Sequence, residues 1–355
     1  MKKFIITFIS IIVVMVSIII FGYFYLIKSP STESKTVNLM IEEGSTYSTI
    51  GNLLKEKGLI KSELAYKIYI KLNPPKSLEH GNYTLNQNYD LETLIKEMEK
   101  GSQNNYETIS ITFIEGKNMR YYMDTISSKL NISSSDIESK LKDSSYLDNL
   151  ISKYWFLTKD IKDKDIYYSL EGYLYPDTYE FYTNATIEDV FAKLLDNMEN
   201  KLNQYKESVE KSKYSIHEMI TLASIIELEA GSAKDRKGVA GVFYNRLNDG
   251  WSLGSDVTTY YAEKLDLWSR DLRQSELDEC NAYNTRNSCM AGKLPVGPVC
   301  NPGVNSLVAA IEPKEHNYYF FVADKNGKTY FNKTNNGHEE TISELKGSGL
   351  WYEYD

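Results

Sequence analysis

The longest apolar run in the chain lies at its N-terminus. Residues 4–27 contain no charged side chain, and they are preceded by Lys2 and Lys3 and followed by Lys28. Because about 20 apolar residues are enough to cross a bilayer as a helix, this run predicts a single transmembrane helix over 4–27. The early lysines predict that residues 1–3 are cytoplasmic and that everything after Lys28 lies outside the cytoplasm. A cleaved signal peptide is the alternative, but it would have a shorter apolar region and a small-residue cleavage site, which this run lacks.

After a polar linker over 28–36, the hydrophobic pattern changes between strand-like alternation and helical spacing. Apolar residues alternate in the two outer segments, whereas in the two inner segments they recur three or four positions apart. The predicted elements are a strand at 37–41, a helix capped by Ser45, a second helix over 62–72 and a returning strand at 81–85. This order predicts a small βααβ domain over 37–105.

A polar break at 101–105 separates this domain from a longer region in which both periods are present. The hydrophobic spacing there predicts helices separated by long connections, with a strand near the start and a hairpin near the end. The predicted helices lie at 118–130, 135–141, 186–205 and 216–230, with another that ends at 249–250; the strands lie at 109–114, 318–323 and 328–332. The predicted fold class is therefore α+β, with a mixed α+β domain over 106–355.

The composition limits the classes of partner. With 355 residues, 42% of them hydrophobic and 25% charged, the chain has an ordinary globular composition and is long enough for two or three domains. Its formal net charge of −9 argues against non-specific nucleic-acid binding, which needs a basic surface. We therefore expect no nucleic-acid partner.

The three cysteines, Cys280, Cys289 and Cys300, all lie within one short segment. An odd number leaves at least one of them unpaired within the chain. A bridge between Cys280 and Cys289 would close a short loop and is compatible with a compartment outside the cell, while three free thiols are the alternative. A zinc site is not expected, because the spacings contain no CxxC pair and the chain has only four histidines. We expect neither a metal nor another cofactor.

A carboxylic acid interrupts the most apolar part of the predicted helix over 216–230. In the segment TLASIIELEAG, Glu227 directly follows Ile225 and Ile226. Desolvation of a carboxyl group raises its pKa and lets it hold a proton near neutral pH, as a general acid must. Glu227 is therefore the candidate catalytic residue. The structural alternative is a buried acid in a salt bridge with an arginine.

Glu229 follows two residues later and is not expected to act on the same bond. Two positions along a helix correspond to a rotation of about 200°, so Glu227 and Glu229 lie on different faces. We expect Glu229 to cap the helix or to pair with a base, with Lys234 and Arg236 as candidates.

Seven sequence motifs between residues 170 and 338 follow one another in a characteristic order. They are LEGYLYPDTYEF, LASIIELEAG, VAGVFYNRL, SDVTTYY, AYNTR, LPVGPVCNPG and YYFFVAD…FNKTNNGH. Together they resemble the endolytic murein transglycosylase family of membrane-anchored bacterial cell-wall enzymes. The resemblance implies that 106–355 is a catalytic domain with its core at 170–345. In that family the first Glu of the SI[IV]E motif is the catalytic acid, which here is Glu227.

The resemblance also implies a reaction. The substrate would be a peptidoglycan strand, cut between N-acetylmuramic acid and N-acetylglucosamine, which stops elongation of the strand. Glu227 would protonate the glycosidic oxygen and then accept the proton of the muramoyl C6 hydroxyl, which attacks C1 and leaves a 1,6-anhydro end. Such an intramolecular attack has a high effective molarity and needs no second carboxylate as nucleophile.

Further residues on the matching motifs are candidates for substrate binding. Asn245 could orient the acid or bind an acetamido group, as could Arg246 beside it. Ser255 and Asp256 match a family segment in which Gly254 replaces the usual Gln, and Asp256 is either a second carboxylate of the cleft or a turn residue. The YNT motif carries polar groups suited to sugar hydroxyls, on Tyr283, Asn284 and Thr285.

The βααβ segment resembles a LysM domain. The resemblance rests on EEGSTYSTIGNLLKEKGLI and, later, HGNYTL, and LysM domains bind glycans that contain N-acetylglucosamine. A βααβ spacer without sugar contacts is the alternative. For the whole chain, the alternatives are a catalytically inactive wall-binding scaffold and a hydrolysing muramidase. Membrane-bound wall synthases are the protein partners that the resemblance and the short tether imply.

Overall fold

A computed structural model describes residues 2–42, 44–101 and 108–351, without the side chains of residues 2–7, 9, 11 and 12. The chain divides into two compact units, 1–107 and 108–355, each of which has its own core. The boundary predicted between 105 and 106 falls outside the described residues and stays a prediction.

The first unit contains the predicted βααβ order. Its elements are α1 (Lys2–Leu26), β1 (Thr36–Ile41), α2 (Tyr47–Glu56), α3 (Glu63–Leu72), β2 (Gly81–Asn86) and α4 (Leu91–Glu99). β1 and β2 pair in antiparallel fashion with Leu39 opposite Tyr83, and both side chains are buried. The side chain of Thr46, rather than that of Ser45, caps α2, while α4 had not been predicted. The likeness to a LysM domain stays a prediction.

Helix α1 covers the segment for which a transmembrane span was predicted. Among the residues that the structure describes, no helix has the length and apolar character needed to cross a membrane. The predicted single transmembrane helix over 4–27 is therefore not confirmed, and several of its side chains lie outside the described set.

The second unit is a mixed α+β domain, which confirms the predicted class. Helices are the main elements of its described residues, and they are accompanied by two short antiparallel strand pairs. The helices are α5 (Met119–Leu130), α6 (Ser134–Leu141), α7 (Ser144–Lys153), α8 (Ile187–Leu202), α9 (Lys206–Lys211), α10 (Ile216–Glu229), α11 (Arg236–Asn248), α12 (Asp256–Ala262), α13 (Gln274–Asp278), α14 (Val304–Ile311) and α15 (Asn335–Gly347). The strands are β3 (Thr108–Thr112), β4 (Thr178–Tyr182), β5 (Phe320–Ala323) and β6 (Thr329–Asn332).

The described strands of this domain form two antiparallel pairs. β3 pairs with β4, and β5 and β6 form the hairpin that the sequence predicted. Short helices account for most of what the sequence did not predict, because α7, α9, α12 and α13 are ten residues or shorter. Such helices are stable mainly through tertiary packing and leave only a weak periodic pattern.

Helix α10 runs through the core of the second unit. Ser215 accepts a hydrogen bond from the backbone N–H of Glu218, whose side chain in turn accepts one from the Ser215 N–H, so a capping box fixes the start of the helix. Residues 216, 217 and 219–226 are buried, and α11, α12 and α14 pack around them. A helix that is apolar on all sides must lie inside a core, and this places its last turn, with Glu227, at a fixed position.

The cysteines divide into a pair and a single thiol. Cys280 and Cys289 form a disulfide bond, which was one of the two alternatives, and Cys300 is buried with its Sγ 3.3 Å from the Ser224 carbonyl oxygen.

Candidate active site

Glu227 lies in the last turn of α10, and both of its carboxylate oxygens are hydrogen-bonded. Arg236 Nη2 donates to Oε1 at 2.7 Å, and the backbone N–H of Gly303 donates to Oε2 at 3.0 Å. The side chain of Glu227 is 6% exposed and that of Arg236 is 12% exposed. The salt-bridged acid, which was the structural alternative, is therefore the arrangement found. It leaves Glu227 oriented by two donors with a small accessible edge.

Glu229 faces away from this pair and has a different set of neighbours. Ser255 donates its hydroxyl to Glu229 Oε1 at 2.5 Å. Burial raises the pKa of Glu229, and the nearby Asp256 carboxylate adds to the rise, while the Ser255 hydrogen bond and the Arg246 guanidinium oppose it. The expectation that Arg236 would pair with Glu229 is wrong, because Arg236 reaches back over α10 to Glu227 instead.

The loop that precedes α14 completes the Glu227 site. Gly303 has an ordinary φ of −76°, so space rather than backbone conformation requires a glycine there. A methyl group on Gly303 would come within 2.6 Å of Glu115 Oε2. The loop is held by Asn301, whose backbone N–H donates to the Lys117 carbonyl and whose own carbonyl accepts from the Gly116 N–H. The turn after β3 and the loop before α14 thus form one wall beside Glu227.

A buried carboxyl group, that of Glu171, is hydrogen-bonded to residues that hold this wall. Glu171 is 1% exposed and accepts hydrogen bonds from the Met119 N–H at 2.9 Å, the Tyr261 hydroxyl at 3.1 Å and the Asn301 side-chain amide at 3.3 Å. Burial raises the pKa of Glu171 to about 8, against the opposing effect of the hydrogen bonds from Met119 and Tyr261 and of the Arg120 charge. The group is therefore held mostly protonated below that pH.

Comparison with known proteins identifies the family of this chain. A family model described as the YceG-like family matches residues 39–344. The chain belongs to the YceG-like family. It is similar to two proteins named endolytic murein transglycosylase. The one from Bacillus subtilis (strain 168) is 34% identical over 321 residues, which cover 89% of this chain and 86% of the relative. The one from Streptococcus pneumoniae serotype 2 is 29% identical over 364 residues, which cover 98% of this chain and 66% of the relative.

A solved structure of the same family has a similar fold. The crystal structure of a YceG-like protein from Listeria monocytogenes superimposes with a TM-score of 0.60 at 30% sequence identity. The alignment covers 87% of this chain and 100% of that one. Glu115, Glu227, Arg236 and Gly303 all lie within the residues that the YceG-like family model matches.

The YNT motif of this YceG-like protein is buried rather than open to a sugar. Asn284 donates its amide to three backbone carbonyls, Thr285 Oγ1 lies 2.8 Å from Thr258 Oγ1, and the Tyr283 hydroxyl accepts from the Tyr167 N–H at 3.3 Å. Asn284 and Thr285 are fully buried and Tyr283 is 1% exposed. A sugar cannot reach these groups in this conformation, so they are a framework rather than a binding surface.

The remaining predicted contacts are also engaged within the YceG-like fold. Asn245 donates to the carbonyls of His316 and Tyr318, both at 2.9 Å, and so ties α11 to the segment before β5 rather than to Glu227. Ser255 is buried, and its hydroxyl is taken by Glu229. Asp256 begins α12 with Oδ1 3.2 Å from Arg286 Nε, close enough for an ion pair but without hydrogen-bond geometry.

Glu115 is the residue near the site that the sequence did not point to. It follows β3, it is exposed as a residue, and its carboxyl group lies against Gly303. Burial of the carboxyl group raises the pKa of Glu115, and the charge of Glu227 adds to the rise, whereas Arg236 opposes it. In the sequence, Glu115 is marked only by the glycine that follows it. In the structure, Gly116 has a positive φ of 74°, as in a tight turn, shortly after β3.

A pocket of about 310 Å³ opens beside the last turn of α10. Its walls come from the turn after β3, from α5, α10 and α12, and from the loop before α14. The lining residues include Gly116, Asn118, Tyr121, Leu228, Tyr261 and Val299. Glu115 and Glu227 do not line the pocket, but a methyl group on Gly116, which does, would lie 3.6 Å from Glu227 Cγ, so the pocket lies next to the Glu227 side chain.

Proposed function

We propose that this chain is an endolytic murein transglycosylase that cleaves peptidoglycan glycan strands. The observation that carries the proposal is the state of Glu227, nearly buried, held through both oxygens by Arg236 and Gly303, and adjoined by a pocket. Membership of the YceG-like family and the names of its relatives support the same activity.

The reaction that we propose uses Glu227 twice. The protonated carboxyl gives its proton to the oxygen that joins N-acetylmuramic acid to N-acetylglucosamine, and the bond from C1 to that oxygen breaks. The resulting carboxylate accepts the proton of the muramoyl C6 hydroxyl as that oxygen bonds to C1. The products are a free N-acetylglucosamine end and a 1,6-anhydro-muramoyl end, and no water is consumed.

The contacts of Glu227 bear on the second half of this cycle. Arg236 and the Gly303 N–H stabilise the ionised carboxylate, which is the form that must accept the C6 proton. They also hold the carboxyl group in one orientation, and such positioning of a catalytic group supplies much of the rate of an intramolecular reaction. Release of a shortened strand with an anhydro end would end elongation at that point.

A hydrolysing muramidase is the second candidate, and one observation favours it. Glu115 places a further carboxyl group on the other side of Gly303. The contacts of Gly303 with Glu227 and Glu115 limit the distance between the two carboxylates to about 9 Å. Paired carboxyl groups of glycoside hydrolases act on a sugar and a water over such a distance. A hydrolase would leave reducing ends instead of anhydro ends. An inactive wall-binding scaffold would leave the strands uncut.

Mass spectrometry of digested peptidoglycan separates these functions. The wild-type chain is expected to produce anhydro-muramoyl ends, and Glu227→Gln is expected to lose at least a hundredfold of that activity, because an amide cannot donate and recover a carboxyl proton. Glu344→Gln on α15 is the matched control, since it removes the same charge from an exposed helix position. Reducing ends would identify a muramidase, and full activity of Glu227→Gln would refute the assignment of the acid.

We also propose that the enzyme acts outside the cytoplasm, tethered by residues 4–27 with 1–3 in the cytoplasm, near membrane-bound wall synthases. The apolar sequence of that run and the activity of the relatives support the location. Alkaline extraction of membranes is expected to retain the full chain and to release a chain without residues 1–28. Crosslinking in cells that recovers no synthase would contradict the partner. Pull-down with chitin oligomers tests whether the LysM-like domain over 37–105 binds sugar or serves as a spacer.

A further inference from the structure

Glu115 and Glu227 face the same small residue from two sides. The Gly303 N–H donates to Glu227 Oε2 at 3.0 Å, while the space that a Gly303 side chain would fill is occupied by the Glu115 carboxyl group. Glu115 lies three residues after β3 and Glu227 lies in the last turn of α10, so this approach is made by the tertiary fold alone. Within the described residues, the Glu115 carboxyl has no hydrogen-bond donor of its own.

The charges around the two carboxyl groups are unequal. Arg236 contacts Glu227 directly and attracts Glu115 from further away. Asp177, which precedes β4, adds a second negative charge facing Glu115. Within the described residues, the other titratable groups that face the pair are the hydroxyls of Tyr122 and Tyr175 and the Cys300 thiol. Burial raises the pKa of each, so all three stay neutral. Arg236 therefore acts on both carboxyl groups, while Asp177 adds a further negative charge near Glu115.

We propose that Glu115 is a positioning residue for the catalytic proton: its carboxylate, across Gly303, partly offsets the positive charge that Arg236 presents to Glu227. This inference rests on the proposed role of Glu227 as general acid. Two carboxyl groups that share a site with a single cation hold one proton more readily than a lone carboxyl beside that cation does. The raised pKa of Glu115 agrees with this mutual effect.

The arrangement resolves a conflict in the cycle. Arg236 favours the carboxylate that accepts the C6 proton, but the first step needs a carboxyl that still carries its proton. A second negative charge nearby offsets the guanidinium without touching Glu227, so the positive charge of Arg236 favours the carboxylate form less strongly. The pair gives one proton to the glycosidic oxygen in the first step and recovers one from the C6 hydroxyl in the second, so the enzyme is unchanged.

The pH dependence of the rate tests this role. Initial rates of strand cleavage by the full chain would be measured from pH 5 to 9 for the wild type, Glu115→Gln, Glu115→Asp and Glu344→Gln. For Glu115→Gln we expect the fall of kcat on the alkaline side to begin roughly half to one pH unit earlier, which lowers kcat roughly three- to tenfold at a given alkaline pH with KM unchanged. Glu115→Asp keeps the charge and should restore most of the shift, while Glu344→Gln should match the wild type.

A second variant reaches the same group from the opposite side. Gly303→Ala would push the Glu115 carboxyl away, because its methyl group would overlap that carboxyl, and it should move the alkaline limb in the same direction. An alkaline limb of Glu115→Gln that coincides with that of the wild type would overturn the inference, as would a raised KM with an unmoved limb. Loss of reducing ends in Glu115→Gln would instead make Glu115 the base of a muramidase. Cleavage that survives Glu227→Gln would refute the proposed function itself, a separate result.

Discussion

Arg236 Nη2 lies 2.7 Å from Glu227 Oε1, and this contact joins the first turn of α11 to the last turn of α10. Both side chains are almost withdrawn from water. The Nε atom of Arg236 is buried and has no hydrogen-bond partner within the described residues. The guanidinium is therefore held at the carboxylate largely by that one contact and by packing.

Removing Arg236 should destabilise the fold as well as the reaction. Arg236→Gln would leave the Glu227 carboxylate nearly buried without its cation, and breaking such a pair costs about 3–5 kcal/mol. In urea unfolding, the double variant with Glu227→Gln should recover much of the loss, because the uncompensated charge is then absent. Lys237→Gln breaks an exposed pair with Glu312 and should have little effect. Purely additive losses in the double variant would show that the two groups are not coupled.

Glu229 should be dispensable for catalysis, although it stands two residues from Glu227. Its partner is the Ser255 hydroxyl, and its face of α10 points away from the Arg236 site. Glu229→Gln keeps the size and one acceptor, so cleavage should stay within about fivefold of the wild type, compared with at least a hundredfold loss for Glu227→Gln. Rates on purified peptidoglycan decide this, and comparable losses in both variants would mean that Glu229 takes part in the chemistry.

Glu171 should make the stability of the fold depend on pH. Its pKa is about 8 in the folded chain and close to its ordinary 4.5 when unfolded, so the folded state holds a proton that unfolding releases between these values. Its contribution is therefore fully present below pH 4.5, declines as the pH rises, and is lost above pH 8. The full difference corresponds to about 5 kcal/mol.

The variant Glu171→Gln isolates this contribution, because its side chain stays neutral at every pH. Unfolding free energies at pH 5 and pH 8 should differ less in Glu171→Gln than in the wild type. An equal pH dependence in both proteins would show that Glu171 is ionised in the folded chain.

Asn284 should matter for stability and not for substrate affinity. Its amide satisfies the carbonyls of Glu276, Leu277 and Glu279, so Asn284→Ala leaves buried acceptors without donors at a cost of about 3 kcal/mol. KM should be unchanged at temperatures where the variant is folded. Asn149→Ala, at an exposed position of α7, is the control for the substitution itself. A raised KM with unaltered stability would restore the sugar-binding interpretation of the YNT motif.

The helix that carries Glu227 could be predicted closely from the sequence, at 216–230 against Ile216–Glu229, because a long apolar pattern is a local feature. The hairpin of β5 and β6 was predicted for the same reason. The partners of the acids were not, since Arg236 reaches Glu227 and Ser255 reaches Glu229 only through the packing of α10 against its neighbours.

Burial shows why the sequence alone could not place the candidate sugar contacts. Asn284 and Thr285 are polar residues on a matching motif, and polarity alone does not tell whether a group faces a ligand or satisfies the backbone. Glu115 lies near the site but was not predicted. It is more than a hundred residues from Glu227 in the sequence and lies outside the motifs that carry the resemblance. Only the close approach at Gly303 shows that the two belong together.

The hydrogen bonds of Asn301 determine when the Glu227 site can form during synthesis and folding of the chain. This one residue bonds to Lys117, Leu174 and Glu171, so segments separated by well over a hundred positions meet at a single amide. Contacts of such sequence separation form late, after the intervening chain has been made and has collapsed. A ribosome-bound chain that stops short of residue 303 lacks both this loop and α14, which packs against α10, so the Glu227 site can form only after the C-terminal part of the domain has been made.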